Sequence, residues 1–241
     1  MERFYRIAEK NIRISSIYEK VHTYCREYAT DAFERPDISV NITESDIAYE
    51  RDRSVLQSSD ADLEILAVYR KIAEEMPYSG TILYHASCIC VDGEGILFAA
   101  PSGTGKSTHA RLWREYLGDR AFMVNDDKPL IHVGRESIKV YGTPYNGKHR
   151  LGRNVSVPLK AIAIIERAEK NRTVKATPEE YSKLYPRLMQ QMYRCMDVVA
   201  FSESLELLDS MLKRVPLYVI YCNMEPEAAK TAYDVIFSVK N

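Results

Sequence analysis

Residues 95–108 read GILFAAPSGTGKST, an apolar run followed by a glycine-containing loop that ends in Lys, Ser and Thr. The apolar run predicts a buried strand, and the residues after Lys106 predict a helix. Gly103 and Gly105 allow the torsions that turn successive N–H groups toward a phosphate, and the helix N-terminus adds partial positive charge. The stretch therefore predicts a phosphate-binding loop, although Ala100 stands where the motif begins with glycine.

The loop assigns a binding role to seven consecutive residues: Ser102, Gly103, Thr104, Gly105, Lys106, Ser107 and Thr108. Lys106 supplies a mobile cation for the phosphates, and Ser107 offers a hydroxyl to Mg²⁺. A glycine-rich turn without a ligand is the alternative. The length of the motif and its strand-loop-helix setting favour a nucleotide.

A second motif follows the next predicted strand, where residues 121–129 read AFMVNDDKP. Asp126 and Asp127 come at the carboxyl end of this strand, which is where open α/β sheets place ligand-binding groups. One carboxylate can hold Mg²⁺, and its neighbour can accept a proton from an attacking hydroxyl. An acidic surface turn ended by proline is the alternative interpretation.

His85 precedes the loop strand in an otherwise apolar segment. A hairpin through Asp92–Gly95 would bring His85 and the start of the phosphate loop to the same end of the sheet. There it could hydrogen-bond one of the aspartates and tune its pKa. A histidine satisfied within the core is the alternative.

Hydrophobic patterning predicts a mixed α/β fold with a small N-terminal α/β region over residues 1–77. The phosphate-binding loop makes residues 78–241 the predicted nucleotide-binding domain. Strands dominate the middle of the chain and helices dominate its end. The pattern also predicts a helix over 16–28, one long strand over 81–91 and a helix over 178–196.

The charges nearly cancel, because 33 Lys and Arg face 34 Asp and Glu for a net charge of −1. No global field therefore favours a nucleic-acid or anionic-membrane partner. No apolar run approaches the ~20 residues that span a bilayer, and the charged start MERFYRIAEK does not read as a secretion signal. We expect a cytoplasmic protein whose five scattered cysteines are reduced thiols.

Three segments resemble the catalytic domain of the HPr kinase/phosphorylase family, whose P-loop fold is related to that of phosphoenolpyruvate carboxykinases. They are residues 84–87 (YHAS), 101–108 (PSGTGKST) and 125–129 (NDDKP). The resemblance implies that the loop binds ATP, that Ser107 and Asp126 hold Mg²⁺, and that His85, Asp126, Asp127 and Lys106 form a phosphoryl-transfer centre. The resemblance also implies that residues 78–241 form a kinase-like domain. Members of that family assemble as multimers, so a homo-oligomer stays open, and the sequence does not determine the oligomeric state.

Residues 140–154 (VYGTPYNGKHRLGRN) resemble a segment of short stand-alone relatives, some of them encoded with peptide-modification systems. Lys148, Arg150 and Arg153 could neutralise a transferring phosphate, and a solvated basic loop is the alternative. Two departures stand out. Residues 139–142 (KVYG) lack the acidic metal-binding residue of the bifunctional enzymes, and residues 1–77 do not resemble their regulatory domain.

Three functions remain open. The first is a kinase that uses ATP and Mg²⁺ to phosphorylate a hydroxyl of a protein, a peptide such as one bearing serine, or a small molecule. The second is a carboxykinase-like enzyme acting on a small acid, which would need a manganese site and cations for the carboxylates. The third is a non-catalytic nucleotide-sensing adaptor, in which ATP orders residues 141–154 for a partner.

Overall fold

The computed structural model describes residues 1–55 and 57–238, and it confirms a mixed α/β fold. The N-terminal elements are β1 (Glu2–Ile7), β2 (Lys10–Ser15), α1 (Lys20–Tyr24), β3 (Ile38–Asn41), α2 (Glu44–Arg53) and α3 (Asp60–Glu75). The later elements are β4 (Thr81–Leu83), β5 (Ser87–Val91), β6 (Glu94–Ala99), α4 (Lys106–Leu117), β7 (Ala121–Asn125), β8 (Leu130–Val133), β9 (Ile138–Tyr141), β10 (Ser156–Arg167), β11 (Arg172–Lys175), α5 (Pro178–Met189), α6 (Val198–Arg214), β12 (Leu217–Cys222) and α7 (Glu227–Phe237).

The N-terminal elements form a three-stranded sheet in the order β1-β2-β3, with β3 parallel to β2. α3 packs its apolar side against this sheet, and Ser59 caps its first turn by accepting a hydrogen bond from the N–H of Asp62. The hydrophobic core beneath also contains Leu83, Leu130, Tyr141 and Tyr145. Residues on both sides of position 77 therefore share one core.

The predicted helix over 16–28 is wrong. Only Lys20–Tyr24 is α-helical, followed by one short 3₁₀ turn at Arg26–Tyr28. The buried carboxylate of Glu64 on α3 accepts hydrogen bonds from the N–H groups of Ile17 and Tyr18, at 2.5 and 2.9 Å. These long-range bonds hold the start of the segment outside the helix, an effect that local pattern does not contain.

The later strands form a nine-stranded sheet whose main path runs β4-β8-β9-β10-β6-β5-β7, with β12 and then β11 added beside β10. β10 is long enough to serve two parts of it. Its first residues pair with β9, and the rest pairs in parallel with β6 and β12. Because β5 is antiparallel to both β6 and β7, the strands β6, β7, β10 and β12 all end at one edge of the sheet.

The predicted single strand over 81–91 is also wrong, because β4 and β5 pair with different neighbours. Between β4 and β5, residues 84–86 are not part of a strand. The N–H of His85 donates to the carbonyl of Gln191 at 2.7 Å, and the N–H of Ala86 donates to that of Asp127 at 3.1 Å. The helix predicted over 178–196 is shorter than expected and ends at Met189. The residues after it run beside the gap between β4 and β5, where the N–H of Tyr193 donates to the carbonyl oxygen of Leu83.

No helix within residues 1–55 and 57–238 is long and apolar enough to cross a membrane.

Candidate active site

The loop between β6 and α4 has the backbone torsions that the predicted phosphate-binding loop requires at its two glycines. Gly103 and Gly105 have φ of 77° and 123°, and an added Cβ would meet open space at both positions. Glycine is needed there for its torsions rather than for its size. Gly105 is the N-cap residue of α4, and Lys106 is the first residue of the helix.

The Lys106 ammonium is folded back into the loop. Its Nζ donates to the carbonyl oxygen of Ala100 at 2.7 Å and lies 3.4 Å from that of Pro101. Burial lowers the pKa of Lys106, and the nearby carboxylate of Asp127 acts in the opposite direction. The ammonium thus lies within electrostatic reach of the aspartate and can exchange its carbonyl partners for phosphate oxygens.

Arg167 holds the loop from the neighbouring strand. From the end of β10 its guanidinium donates to the carbonyl oxygen of Gly103 and, at 3.2 Å, to that of Thr104. These two carbonyl oxygens are thereby occupied by the guanidinium. The sequence carries no local signal for this contact, because 63 positions separate Arg167 from Thr104.

The two aspartates lie in a turn organised by the buried amide of Asn125. Its Oδ1 accepts hydrogen bonds from the N–H groups of Asp127 and Lys128, at 2.9 and 2.7 Å. Its Nδ2 donates to the hydroxyl of Thr143 at 3.0 Å. Since Asn125 is fully buried, the turn is braced from inside the protein and its carboxylates project from the sheet edge.

Asn125→Ala is expected to lower the free energy of unfolding by about 2 kcal/mol, because two backbone N–H groups lose a buried acceptor. We also expect at least about 10-fold slower turnover, since both carboxylates lose their support. Urea unfolding and steady-state kinetics measure the two effects. Asn154→Ala is the matched control, because that exposed amide makes one bond, to the carbonyl of Glu27. Equal effects of the two substitutions would contradict the role of Asn125.

The two carboxylates have different partners. Oδ1 of Asp126 accepts a hydrogen bond from the buried hydroxyl of Ser87 at 2.7 Å. Oδ1 of Asp127 lies 2.8 Å from Nζ of Lys128 and 3.5 Å from Nε2 of His85. The surroundings of the two carboxylates therefore differ: Asp126 is bound to a hydroxyl, and Asp127 lies between Lys128 and His85.

His85 is half-buried beside Asp127. Burial, then the charges of Lys128 and Lys106, lower its pKa, and the Asp127 carboxylate opposes them. His85 is therefore neutral at pH 7. The carbonyl oxygen of Gln191 accepts a hydrogen bond from the backbone N–H of His85, and Gln191 also hydrogen-bonds with the His85 side chain. The segment after α5 therefore positions the imidazole.

The loop over residues 142–154 passes beside Asp126 at Gly147. Two of its three predicted phosphate-binding cations lie over aromatic rings. The guanidinium carbon of Arg150 lies 4.3 Å from the ring centre of Tyr24, and that of Arg153 lies 4.5 Å from the ring centre of Phe122. Lys148 is exposed. Arg150 thus ties the loop to the N-terminal region, and contact of these cations with phosphate stays a prediction.

Gly142→Ala is expected to destabilise the fold by about 3 kcal/mol, the upper end of the range for overpacking. A Cβ there would overlap the carbonyl oxygen of Arg153 and lie 2.9 Å from that of Val124. Gly147→Ala is the control, because its methyl would lie 3.2 Å from the nearest atom, the carbonyl oxygen of Asp126. Thermal and urea unfolding compare the two, and a Gly142→Ala protein as stable as Gly147→Ala would refute the close backbone approach.

Whether the residues at this edge of the sheet fit Mg²⁺ can be judged from their ligand chemistry. Within the part of the chain that the structure describes, no group of three or more His, Cys, Asp or Glu could hold a metal. Mg²⁺ commonly takes one or two protein ligands and completes its shell with phosphate oxygens and water. The hydroxyl of the exposed Ser107 and the carboxylate of Asp126 are oxygen donors of the kind that Mg²⁺ takes, and their binding of the ion stays a prediction.

A cleft of about 670 Å³ adjoins the phosphate loop on the side of β10 and β12. The loop and the first turn of α4 form one wall, with His109 among the lining residues. The ends of β10 and β12 form the other, through Ile165, Cys222 and the exposed Met224. Its volume falls in the range of small-molecule sites.

The family described as "SynChlorMet cassette protein ScmC" matches residues 53–227. The chain belongs to the ScmC family. The part that matches this ScmC description runs from the end of α2 to the start of α7, and it includes the phosphate loop, both aspartates, His85 and the cleft. The three-stranded sheet of the N-terminal region precedes the matched part.

No curated protein matches this ScmC-family chain. Among solved structures it is similar to the Hpr(Ser) kinase/phosphatase from Coxiella burnetii, with 11% sequence identity and a TM-score of 0.29. That similarity covers 39% of this chain and 70% of the other.

Sequence reasoning singled out the loop, the aspartates and His85, and the structure places all of them at one edge of the large sheet. It missed Ser87, Asn125, Lys128, Arg167 and Gln191 as supporting residues. Asn125 and Lys128 had a usable signal, since they flank the two aspartates. Ser87, Arg167 and Gln191 had none, because their partners are distant in the chain.

Proposed function

We propose that the protein transfers the γ-phosphoryl group of ATP to a hydroxyl group, with Mg²⁺ bound, and that the acceptor is a serine-bearing protein or peptide or a small molecule. One observation carries the proposal. The phosphate loop after β6, the aspartates after β7 and His85 before β5 lie together at the same sheet edge, with Nε2 of His85 3.5 Å from Oδ1 of Asp127. Phosphoryl transfer needs these parts in this relation: a cradle for the phosphates and a base in front of them.

In this proposal the loop binds and orients the polyphosphate. The N–H groups of residues 102–107 surround the β- and γ-phosphates, and Lys106 leaves the carbonyl oxygens of Ala100 and Pro101 for the phosphate oxygens. Arg167 holds the carbonyl oxygens of Gly103 and Thr104, and the N–H of Thr104, which donates to Pro101 at 3.3 Å, would exchange that partner for the anion.

Asp127 is the proposed base. The acceptor oxygen forms a bond to the γ-phosphorus as the bond to the β-phosphate oxygen breaks, and the hydroxyl proton passes to the carboxylate of Asp127. The products are ADP and the phosphorylated acceptor. Lys128 and neutral His85 fix the carboxylate, since both lie against its Oδ1.

Asp126 and Ser107 are the proposed protein ligands of Mg²⁺, which when bound would neutralise charge on the phosphate oxygens. The hydroxyl of Ser87 would keep one carboxylate oxygen of Asp126 occupied and so leave the other for the ion. This division of labour follows from the different partners of the two aspartates.

Incubation with γ-³²P-labelled ATP, Mg²⁺ and candidate hydroxyl acceptors tests the proposal. We expect label in the acceptor and stoichiometric ADP, with the added phosphoryl group seen by mass spectrometry. Bound ATP that raises the melting temperature but labels none of the protein, peptide or small-molecule acceptors would contradict a kinase and favour a nucleotide-sensing adaptor.

A further inference from the structure

The order of strands sets the direction in which a nucleotide can lie across the phosphate loop. In the sequence of neighbours β7-β5-β6-β10-β12, the loop follows the central strand β6. Asp126 and Asp127 follow β7 on one side, and the cleft lies at the ends of β10 and β12 on the other. A polyphosphate with its γ end at the aspartates therefore has its other end directed into the cleft.

The lining of the cleft mixes apolar side chains with polar and charged ones, among them Arg167 and Glu169, as a site for a partly apolar group requires. Ile165 and Cys222 are apolar lining residues, and the thioether of Met224, 77% exposed, lies among the lining residues. The loop that carries Met224 is held in place by two hydrogen bonds from Asn223. Its Nδ2 donates to the carbonyl oxygen of Glu169 at 3.0 Å, and its backbone N–H donates to Oδ1 of Asn171 at 3.0 Å. The two loops that form this wall are thus bonded to each other.

His109 brings an unpaired hydrogen-bond donor to this cleft. Nε2 of His109 accepts a hydrogen bond from the indole N–H of Trp113 at 2.9 Å, and an indole can only donate. The ring is 2% exposed, and its burial lowers its pKa to about 4, so it is neutral and carries its proton on Nδ1. Among the described residues, that buried Nδ1 has no hydrogen-bond partner.

Buried donors in native proteins rarely lack a partner, and each exception calls for an explanation. The ring of His109 is fixed edge-on against Phe98, with centroids 5.1 Å apart, and by the bond to Trp113. It therefore cannot turn to find another acceptor without losing these contacts. A ligand in the adjoining cleft, which His109 helps to line, would supply such an acceptor atom.

We propose that the cleft is the nucleoside subsite, in which His109 donates from Nδ1 to an acceptor atom of the base or ribose and Met224 packs against the base. This assignment rests on the proposed function, since it needs the phosphates in the adjoining loop. The assignment fixes a single orientation of the nucleotide across the loop. It also makes His109 a residue that favours binding of a nucleotide over binding of polyphosphate alone.

Calorimetric titration with two probes, ATP and inorganic tripolyphosphate, each with Mg²⁺, tests this assignment. His109→Phe keeps an aromatic ring but removes the donor, and we expect it to weaken ATP binding about 2- to 10-fold, the equivalent of one neutral hydrogen bond. Tripolyphosphate affinity should be unchanged. His109→Gln, which can accept from Trp113 and still donate, should recover part of the affinity for ATP.

Met224→Ala is a second variant that does not touch the core, and it should also weaken ATP binding while leaving tripolyphosphate binding intact. Met196→Ala, 63% exposed and outside the cleft lining, is its control and should change neither. Unchanged ATP affinity in both cleft variants, or an equal loss for both probes, would overturn the nucleoside subsite while leaving the kinase proposal standing. Failure of the wild-type protein to bind either probe would overturn the proposed function itself and this assignment with it.

Discussion

Replacement of Asp127 by asparagine is expected to slow phosphoryl transfer by about 10²- to 10⁴-fold, the usual contribution of a general base. The amide keeps the shape of the side chain but cannot take the proton of the acceptor hydroxyl. Because Asp127 acts on the acceptor rather than on the phosphates in the proposed reaction, ATP affinity should change little. Single-turnover transfer of the labelled phosphoryl group, together with calorimetric ATP binding, separates the two effects.

Asp119→Asn is the matched control for this substitution, since Asp119 is exposed in the turn after α4. It should leave both transfer and binding unchanged. Transfer by Asp127→Asn within a few fold of wild type would remove Asp127 from the role of base. The same assay on Asp126→Asn would then show whether the neighbouring carboxylate takes the proton.

Lys106→Met is the second substitution with a large expected effect. Its loss should slow transfer by about 10²- to 10³-fold, as for other groups that stabilise charge in the transition state. It should also weaken ATP binding, because in the proposed complex the ammonium contacts phosphate in the ground state as well. Since burial already lowers the pKa of Lys106, the neutral methionine should fold at least as well as wild type.

Lys183→Met controls for the loss of one positive charge at an exposed position on α5, and it should have no effect on transfer. Lys148→Met asks whether the exposed lysine of the 142–154 loop shares the work of Lys106. If Lys106→Met transferred phosphate at the wild-type rate, the loop would not be the phosphate site. Melting temperatures exclude unfolding as the cause of any loss.

Much of the candidate site could be predicted from short stretches of sequence. The phosphate loop needs two glycines, a lysine and a hydroxyl at fixed spacing between a strand and a helix, and all of these lie within residues 95–108. The structure has this strand, loop and helix. Local torsions and one helix terminus define such a loop, so no distant contact is needed to recognise it.

Elements that depend on distant partners were predicted less well. The helix over 16–28 is shortened by Glu64, and the strand over 81–91 is divided because β4 and β5 pair with different neighbours. A hydrophobic pattern reports which face of a segment is buried but not which strand lies beside it. The same limit hid Arg167, which reaches the loop only because β10 lies next to β6.

The cations of residues 148–153 show the limit in another way. Sequence alone allowed Arg150 and Arg153 to be either phosphate ligands or a solvated loop, whereas the structure stacks their guanidinium groups on Tyr24 and Phe122. A cation–π contact joins residues from different elements, and composition cannot predict it. Tyr24 also brings the N-terminal region against this loop.

Torsional freedom at Gly103 and Gly105, the charge of Lys106 and the adjacent carboxylates of Asp126 and Asp127 are properties of residues and their immediate neighbours, so the linear chain contains them. Tertiary structure alone decided that the aspartates and the cleft lie on opposite sides of the loop, since strand order is set by pairing across long distances. It also decided which nitrogen of His109 carries the proton, because that depends on the indole packed against the ring.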